Sequence, residues 1–255
     1  SGRLFVLTHN YTGYPMVRHA KALVEAGEIG VLRLVQVEYS QDCMAEIGTQ
    51  ANGGNRWRDD PARAGSAGTL GDIGTHAYQL AHYISGVLPT QLLAELHTFI
   101  PERRLDDHVQ VMLRYANGAR GTLWASQVAT GCENTVRIRL CGDKASLLFD
   151  HENPNELWLT PQGGISQRLT RGRVSGRDAE HATRIPAGHS EGYLEAFAQL
   201  YRDAALQIHA VNAGLPIPEE TRRLTTVEDG VIGMLFMEAA LSSHAEDGKW
   251  IDVGR

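Results

Sequence analysis

The chain has 255 residues, 42% of them hydrophobic and 21% charged; that length allows one large domain or two small ones, and that composition is ordinary for a water-exposed globular protein. The formal net charge is −6, with no basic block and no basic stripe interleaved with aromatics, which argues against a nucleic-acid partner. No apolar run approaches the roughly 20 residues needed to span a bilayer, so no membrane partner is expected.

The chain opens on Leu4-Phe5-Val6-Leu7-Thr8, an apolar run that reads as a strand. Residues 16–26 place Val17, Ala20, Leu23 and Val24 at helical spacing, with Pro15 near the first turn and Gly27 at the end. Residues 31–40 read as a strand in which Val31, Leu34, Val37 and Tyr39 are apolar among polar neighbours. Residues 41–69 form a long stretch rich in Gly, Asn and Asp; a connection of that length is more often functional than filler. A second helix is expected over 72–85, closing at Gly86.

From 88 to 170 the pattern turns to strands. Val109, Val111, Leu113 and Tyr115 alternate with polar or solvent-side neighbours, and Asn117-Gly118 follows as a hairpin signal. Further strands are expected over 122–130, 135–141, 146–150, 156–160 and 166–170. Short connections between them imply antiparallel pairing. Residues 171–189 are polar and read as a surface loop, and helices over 191–213 and 227–245 close the chain. These elements make an α+β domain: an open, mostly antiparallel sheet with helices on one face.

The stretch that carries most chemistry is G-S-A-G-T-L-G-D-I-G-T-H at 65–76. It delivers a carboxylate, Asp72, and an imidazole, His76, four residues apart. On a helix those side chains share a face, and a carboxylate near a histidine tunes it for proton transfer near neutral pH. The competing reading is an N-cap aspartate followed by a hydrogen-bonded structural histidine. The other histidines show no repeating metal-ligand spacing, and no third ligand accompanies the pair, so no metal is assigned. Cys43, Cys132 and Cys141 are scattered with no C-x-x-C pair, which suits free thiols in a reduced, cytoplasmic setting.

The run W-R-D-D-P-A-R-A-G-S-A-G-T-L-G-D-I-G-T-H-A at 57–77 resembles the glucose-fructose oxidoreductase/inositol dehydrogenase/MocA family. So do H-N-Y-T-G-Y-P at 9–15 and E-A-G-E-I-G-V-L at 25–32, while G-H-S-E-G-Y-L-E-A-F at 188–197 is similar to a subset of sugar and inositol dehydrogenases within it. The resemblance covers nearly the whole chain. It implies a nicotinamide cofactor, NAD or NADP, and a sugar, inositol or related polyol substrate. It places Asp72 and His76 beside the nicotinamide and the substrate hydroxyl, with His76 moving the proton and Asp72 holding the imidazole. It puts Trp57, Arg58 and His189 near the substrate and Asn10 and Tyr11 near the cofactor. It further implies pairing through the open sheet face into a homodimer or homotetramer.

Family members normally begin with a dinucleotide-binding domain of roughly 120 residues that opens on a strand and a glycine fingerprint. No G-x-G-x-x-G follows a strand here, and none of Lys21, Lys144 or Lys249 sits in the family's E-K-P setting. The expected organisation is therefore residues 1–12 as the last strand of an otherwise missing nucleotide domain, and 13–255 as a substrate-binding and oligomerisation domain. The alternative function is a non-catalytic recognition and dimerisation domain. A metal-dependent sugar isomerase is disfavoured because no βα repeat appears.

Overall fold

Alternating apolar residues along the second third of the chain bury one face of each strand, and they build a nine-stranded sheet. The structure, a computed structural model, describes residues 3–45 and 60–254. In chain order the elements are α1 (Pro15–Glu25), β1 (Leu32–Ser40), α2 (Pro61–Ala64), α3 (Thr75–Ser85), β2 (Pro89–His97), β3 (His108–Tyr115), β4 (Arg120–Ser126), β5 (Thr135–Gly142), β6 (Ala145–Asp150), β7 (Glu156–Pro161), β8 (Gln167–Thr170), α4 (Arg177–Ala182), α5 (Tyr193–Asn212), α6 (Val227–Ala245) and β9 (Ile251–Asp252).

The strand order is β8-β7-β6-β5-β1-β4-β3-β2-β9. Every neighbouring pair is antiparallel except β1 and β4, which run parallel. That exception follows from the connection after β1. The chain leaves the sheet, crosses its face as α3, and returns through the β2-β3-β4 meander, so β4 arrives beside β1 in the same direction.

Helices α1, α3 and α6 supply Met16, Val17, Leu80, Ile84 and Phe236 to a core shared with Val35, Val111, Leu123, Ile138 and Leu140 of the sheet. Tyr78 of α3 stacks on Phe236 of α6 with ring centroids 4.0 Å apart. The other face carries exposed Gln36, Met112, Thr122 and Arg139. The α+β architecture read from the sequence is thus the observed one.

Three local expectations change, and one short strand was not anticipated. Residues 4–8 form no strand among the described residues; only Leu7 bridges Thr225, and a strand needs a longer ladder partner. In β1, Leu34 is 47% exposed, because a register shift between Leu32 and Leu34 turns Leu32 and Val35 inward instead. The expected surface loop 171–189 contains α4, with Asp178, Ala179 and Ala182 buried; the small alanines fit against α1, and Arg223 pairs Asp178 at 2.6 Å. Strand β9 has two residues, too few to carry a period.

A buried polar network anchors the segment leading to the site. Arg18 of α1 and Asp203 of α5, both side chains fully buried, pair at 2.7 Å. Gln199 donates to Asp203 Oδ1 at 2.8 Å, His181 Nε2 lies 2.6 Å from the same oxygen, and Arg18 Nε donates to the Thr12 carbonyl at 2.9 Å. One carboxylate so ties α1, α4 and α5 to the 3-10 turn at Asn10–Gly13. The close approach also requires Gly13: a Cβ there would collide with the Ala196 carbonyl of α5.

Candidate active site

The glycine-rich motif is built as a π-helical turn at Leu70–Gly74 that runs directly into α3. The Thr75 amide reaches back to the Leu70 carbonyl, and Thr75 Oγ1 donates to the Gly71 carbonyl at 2.9 Å. Such wide turns are enriched at functional sites because they re-aim side chains. Asp72 therefore sits inside the turn and does not cap α3, which removes the N-cap reading.

Asp106 fixes the turn from below. Its carboxylate accepts from the amides of Gly68 at 2.6 Å and Leu70 at 2.7 Å. Burial raises the Asp106 pKa, and those donors partly offset the rise. Gly68 is required by packing, since a Cβ there would strike the Asp106 main-chain oxygen. Gly68 of this motif thus serves a close backbone approach to Asp106.

Asp72 and His76 both face a cleft of about 860 Å³. Its polar lining includes Asp72, Thr75, His76, His9 and Gln127, with Arg103, Asp229 and Glu238, and its apolar lining includes Leu7, Val231, Met234 and Met237. Gln127, buried at the end of β4, donates from Nε2 to Asp72 Oδ2 at 2.9 Å, while its Oε1 accepts from Thr69 Oγ1 at 2.9 Å. His9 meets His76 with the two Nδ1 atoms 3.2 Å apart. The imidazole is therefore held by His9, and Asp72 reaches it through charge. Burial lowers the His76 pKa below the ordinary histidine range, and the Asp72 charge partly restores it.

Behind His76 lies an aromatic wall. Tyr11 and Tyr39 meet its ring edge to face, with centroids 5.8 and 6.3 Å away. Tyr11 donates to the Tyr39 hydroxyl at 2.7 Å, Tyr39 donates to Asn134 Oδ1 at 2.9 Å, and Tyr14 meets His151 Nε2 at 3.0 Å. These bonds lock the ring stack that sets the orientation of His76.

Of the residues singled out from the sequence, Asp72 and His76 are brought together. Tyr11 is 3% exposed and stands behind His76; Asn10 is buried, its Nδ2 without a hydrogen-bond partner among the described residues. His189 is exposed and lines a separate hollow with Asn155, Arg171 and Arg173. Trp57 and Arg58 lie outside the described residues. His9, Gln127 and Asp106 were not anticipated. His9 abuts the Asn10-Tyr11 pair, so adjacency was its only signal; Gln127 and Asp106 come from distant strand ends and carry no local pattern.

Both site histidines resist protonation in the folded chain. His9 falls from 6.5 to about 3 through burial and the neighbouring His76. The unfolded chain takes up those protons near pH 6.5, so stability is full above that pH and declines as the pH falls below it. Thermal melts between pH 7.5 and 5.5 are expected to show a falling midpoint, and His9→Asn a shallower fall. An equal slope in the variant would remove His9 from this dependence.

Residues 17–148 match the family model described as GFO/IDH/MocA C-terminal domain. The chain is 32% identical to the Bacillus subtilis protein named uncharacterized oxidoreductase YfiI, over 98% of this chain and 65% of that protein. It is similar in structure to an oxidoreductase from Sinorhizobium meliloti, with TM-score 0.86 and 41% identity over 99% of this chain and 65% of that one. A crystal structure of an inositol dehydrogenase homolog from Azotobacter vinelandii, complexed with NADH and myo-inositol, gives TM-score 0.87 at 29% identity, over 98% of this chain and 64% of that one. The chain thus spans just under two thirds of the length of these relatives.

Proposed function

Because the chain belongs to the GFO/IDH/MocA family, we propose that it forms the substrate side of a nicotinamide-dependent dehydrogenase acting on a carbinol of a polyol or sugar. The observation that carries this reading is that Asp72 and His76 line one cleft together with the apolar side chains of Leu7, Met234 and Met237. The apolar side chains of Leu7, Met234 and Met237 suit a planar nicotinamide ring, and the polar side chains suit hydroxyl groups. A bound nicotinamide, NAD or NADP, supplies the hydride acceptor, or the donor in the reverse direction.

The chain's own residues do the rest. His76, kept neutral by burial, takes the hydroxyl proton as the carbinol carbon loses its hydride, and returns it in the reverse reaction. Asp72, aimed by Gln127, stabilises the imidazolium that forms. Asn10 is assigned to the cofactor side, Tyr11 to the wall that orients His76, and Trp57 and Arg58 to substrate hydroxyls, for which a guanidinium is suited. The neighbour from Azotobacter vinelandii, solved with NADH and myo-inositol, supports the pairing of this cofactor class with a polyol.

The test uses the polypeptide with the amino-terminal nucleotide-binding segment that the resemblance implies. Incubated with NAD or NADP and a panel of cyclic polyols and sugars that includes myo-inositol, it is expected to form reduced nicotinamide. No turnover with any of them would count against the reading.

The open sheet face, with Met112 and Trp158 exposed, favours self-association as a companion role. Strands that expose apolar side chains over several hundred Å² usually mark an interface. Light scattering is expected to give at least a dimer of the 27.9 kDa chain; a monomer across micromolar concentrations would contradict it.

A further inference from the structure

We infer that His9 is the positioning residue of the site: it accepts a hydrogen bond from His76 Nδ1–H and so keeps His76 Nε2 as the unprotonated nitrogen that meets the substrate hydroxyl. This inference rests on the acid–base reading of His76 given above.

The geometry is direct. The two Nδ1 atoms are 3.2 Å apart, with ring centroids at 4.9 Å and planes at 88°. Two neutral imidazoles in such a contact must differ in tautomer, because one nitrogen donates and the other accepts. Two assignments are possible on distance alone, and the proton cycle chooses between them. When His76 takes a proton it carries N–H on both nitrogens. If His9 were the donor, two N–H groups would then face each other across the contact. If His9 is the acceptor, the same bond persists in both states of His76 and grows stronger as charge appears.

The backbone holds His9 for this task. Its carbonyl accepts from Thr12 Oγ1 at 2.8 Å and from the Thr12 amide at 3.1 Å, and its amide donates to the Leu7 carbonyl at 2.9 Å. Leu7 is in turn bridged to Thr225. The groups facing His76 are His9 from this segment, Asp72 from its own turn, and the phenols of Tyr11 and Tyr39. Burial raises the pKa of both phenols, so neither ionises at working pH. Burial together with His76 holds His9 at about 3, so it remains a neutral acceptor wherever His76 cycles. Fixing a catalytic imidazole in one tautomer is worth orders of magnitude in hydrolases that use a carboxylate for the purpose; here a second imidazole occupies that place.

The decisive readout is spectroscopic and needs no substrate. In long-range proton–nitrogen correlation spectra of the chain labelled at histidine nitrogens, His76 is expected as the Nδ1–H tautomer and His9 as the Nε2–H tautomer. An Nε2–H tautomer at His76 overturns the inference. Kinetics of two variants supply the second test in the active polypeptide. His9→Leu is expected to lower kcat at least about tenfold and to shift the acid limb of the pH profile to lower pH. His9→Asn, whose Oδ1 can accept at the Nδ1 position, is expected to recover most of that loss. Equal losses in both variants would overturn the positioning role. The tautomers found as expected in a chain that turns over no polyol would sink the functional reading alone, whereas a large His76→Ala loss with the opposite tautomer would sink this inference alone.

Discussion

His76→Ala is expected to lower kcat on the true substrate by about 10²-fold or more, the usual loss on removing a general acid–base group. The size follows from the surroundings. Burial keeps the ring neutral and therefore able to accept a proton. His9 holds one of its nitrogens, and the other has the cleft before it. Steady-state rates with wild type and variant measure the effect, with a thermal melt to show that the variant is folded. Near-normal turnover would remove His76 from the chemistry. His76→Asn is expected to fail equally, because it keeps the polarity and the approximate size and loses the titratable nitrogen.

The largest expected effect on stability lies away from the cleft. Asp203→Ala is expected to destabilise the fold by about 3–5 kcal/mol, the cost of breaking a buried ion pair from one side. Removing the carboxylate leaves the Arg18 guanidinium charged and fully buried with no counterion, and it takes a partner from both Gln199 and His181. Among the described residues Arg18 Nη1 already has no hydrogen-bond partner. Urea denaturation followed by circular dichroism measures the change. The control is Asp150→Ala, which breaks a partly exposed pair with Arg137 at 2.7 Å and is expected to cost no more than about 1 kcal/mol. Similar midpoints for the two variants would show that the Arg18–Asp203 network does not hold the helices together.

The sheet and the four longer helices, α1, α3, α5 and α6, were legible because their signals are local. The alternation of Val109, Val111, Leu113 and Tyr115 marks β3, Asn117-Gly118 marks its turn, and Gly86 in the left-handed conformation closes α3. The parallel β1–β4 pair was not legible, since it depends on where a distant meander returns. Leu34 misled because a bulge shifts the inward register by one residue, which period-2 reasoning cannot anticipate. Helix α4 was hidden in a polar stretch, because its buried face is alanine and a paired aspartate.

At the site, Asp72 and His76 could be read from a four-residue spacing in a glycine-rich setting. What orients them could not. Gln127 lies 55 residues from Asp72 and His9 lies 67 residues from His76, and each is an ordinary residue in its own segment. The sequence also suggested a helix starting near Asp72. The observed π-helical turn comes from tertiary demand: Asp106 binds the amides of Gly68 and Leu70 and sets where the turn begins. His189 carried a motif resemblance, yet its ring stands in a separate hollow, because Arg171 draws the surrounding loop toward itself through the carbonyls of Ile185, Pro186 and His189.

The central claim is that the Asp72–His76 end of the cleft meets the reacting hydroxyl of a polyol or sugar. A crystal structure of the active polypeptide with reduced nicotinamide and the best substrate of the panel tests it most directly. The account predicts one carbinol oxygen within about 3 Å of His76 Nε2, the ordinary reach of a general base, with His9 still on Nδ1. A polyol bound elsewhere, with no oxygen in reach of either His76 or Asp72, would contradict it.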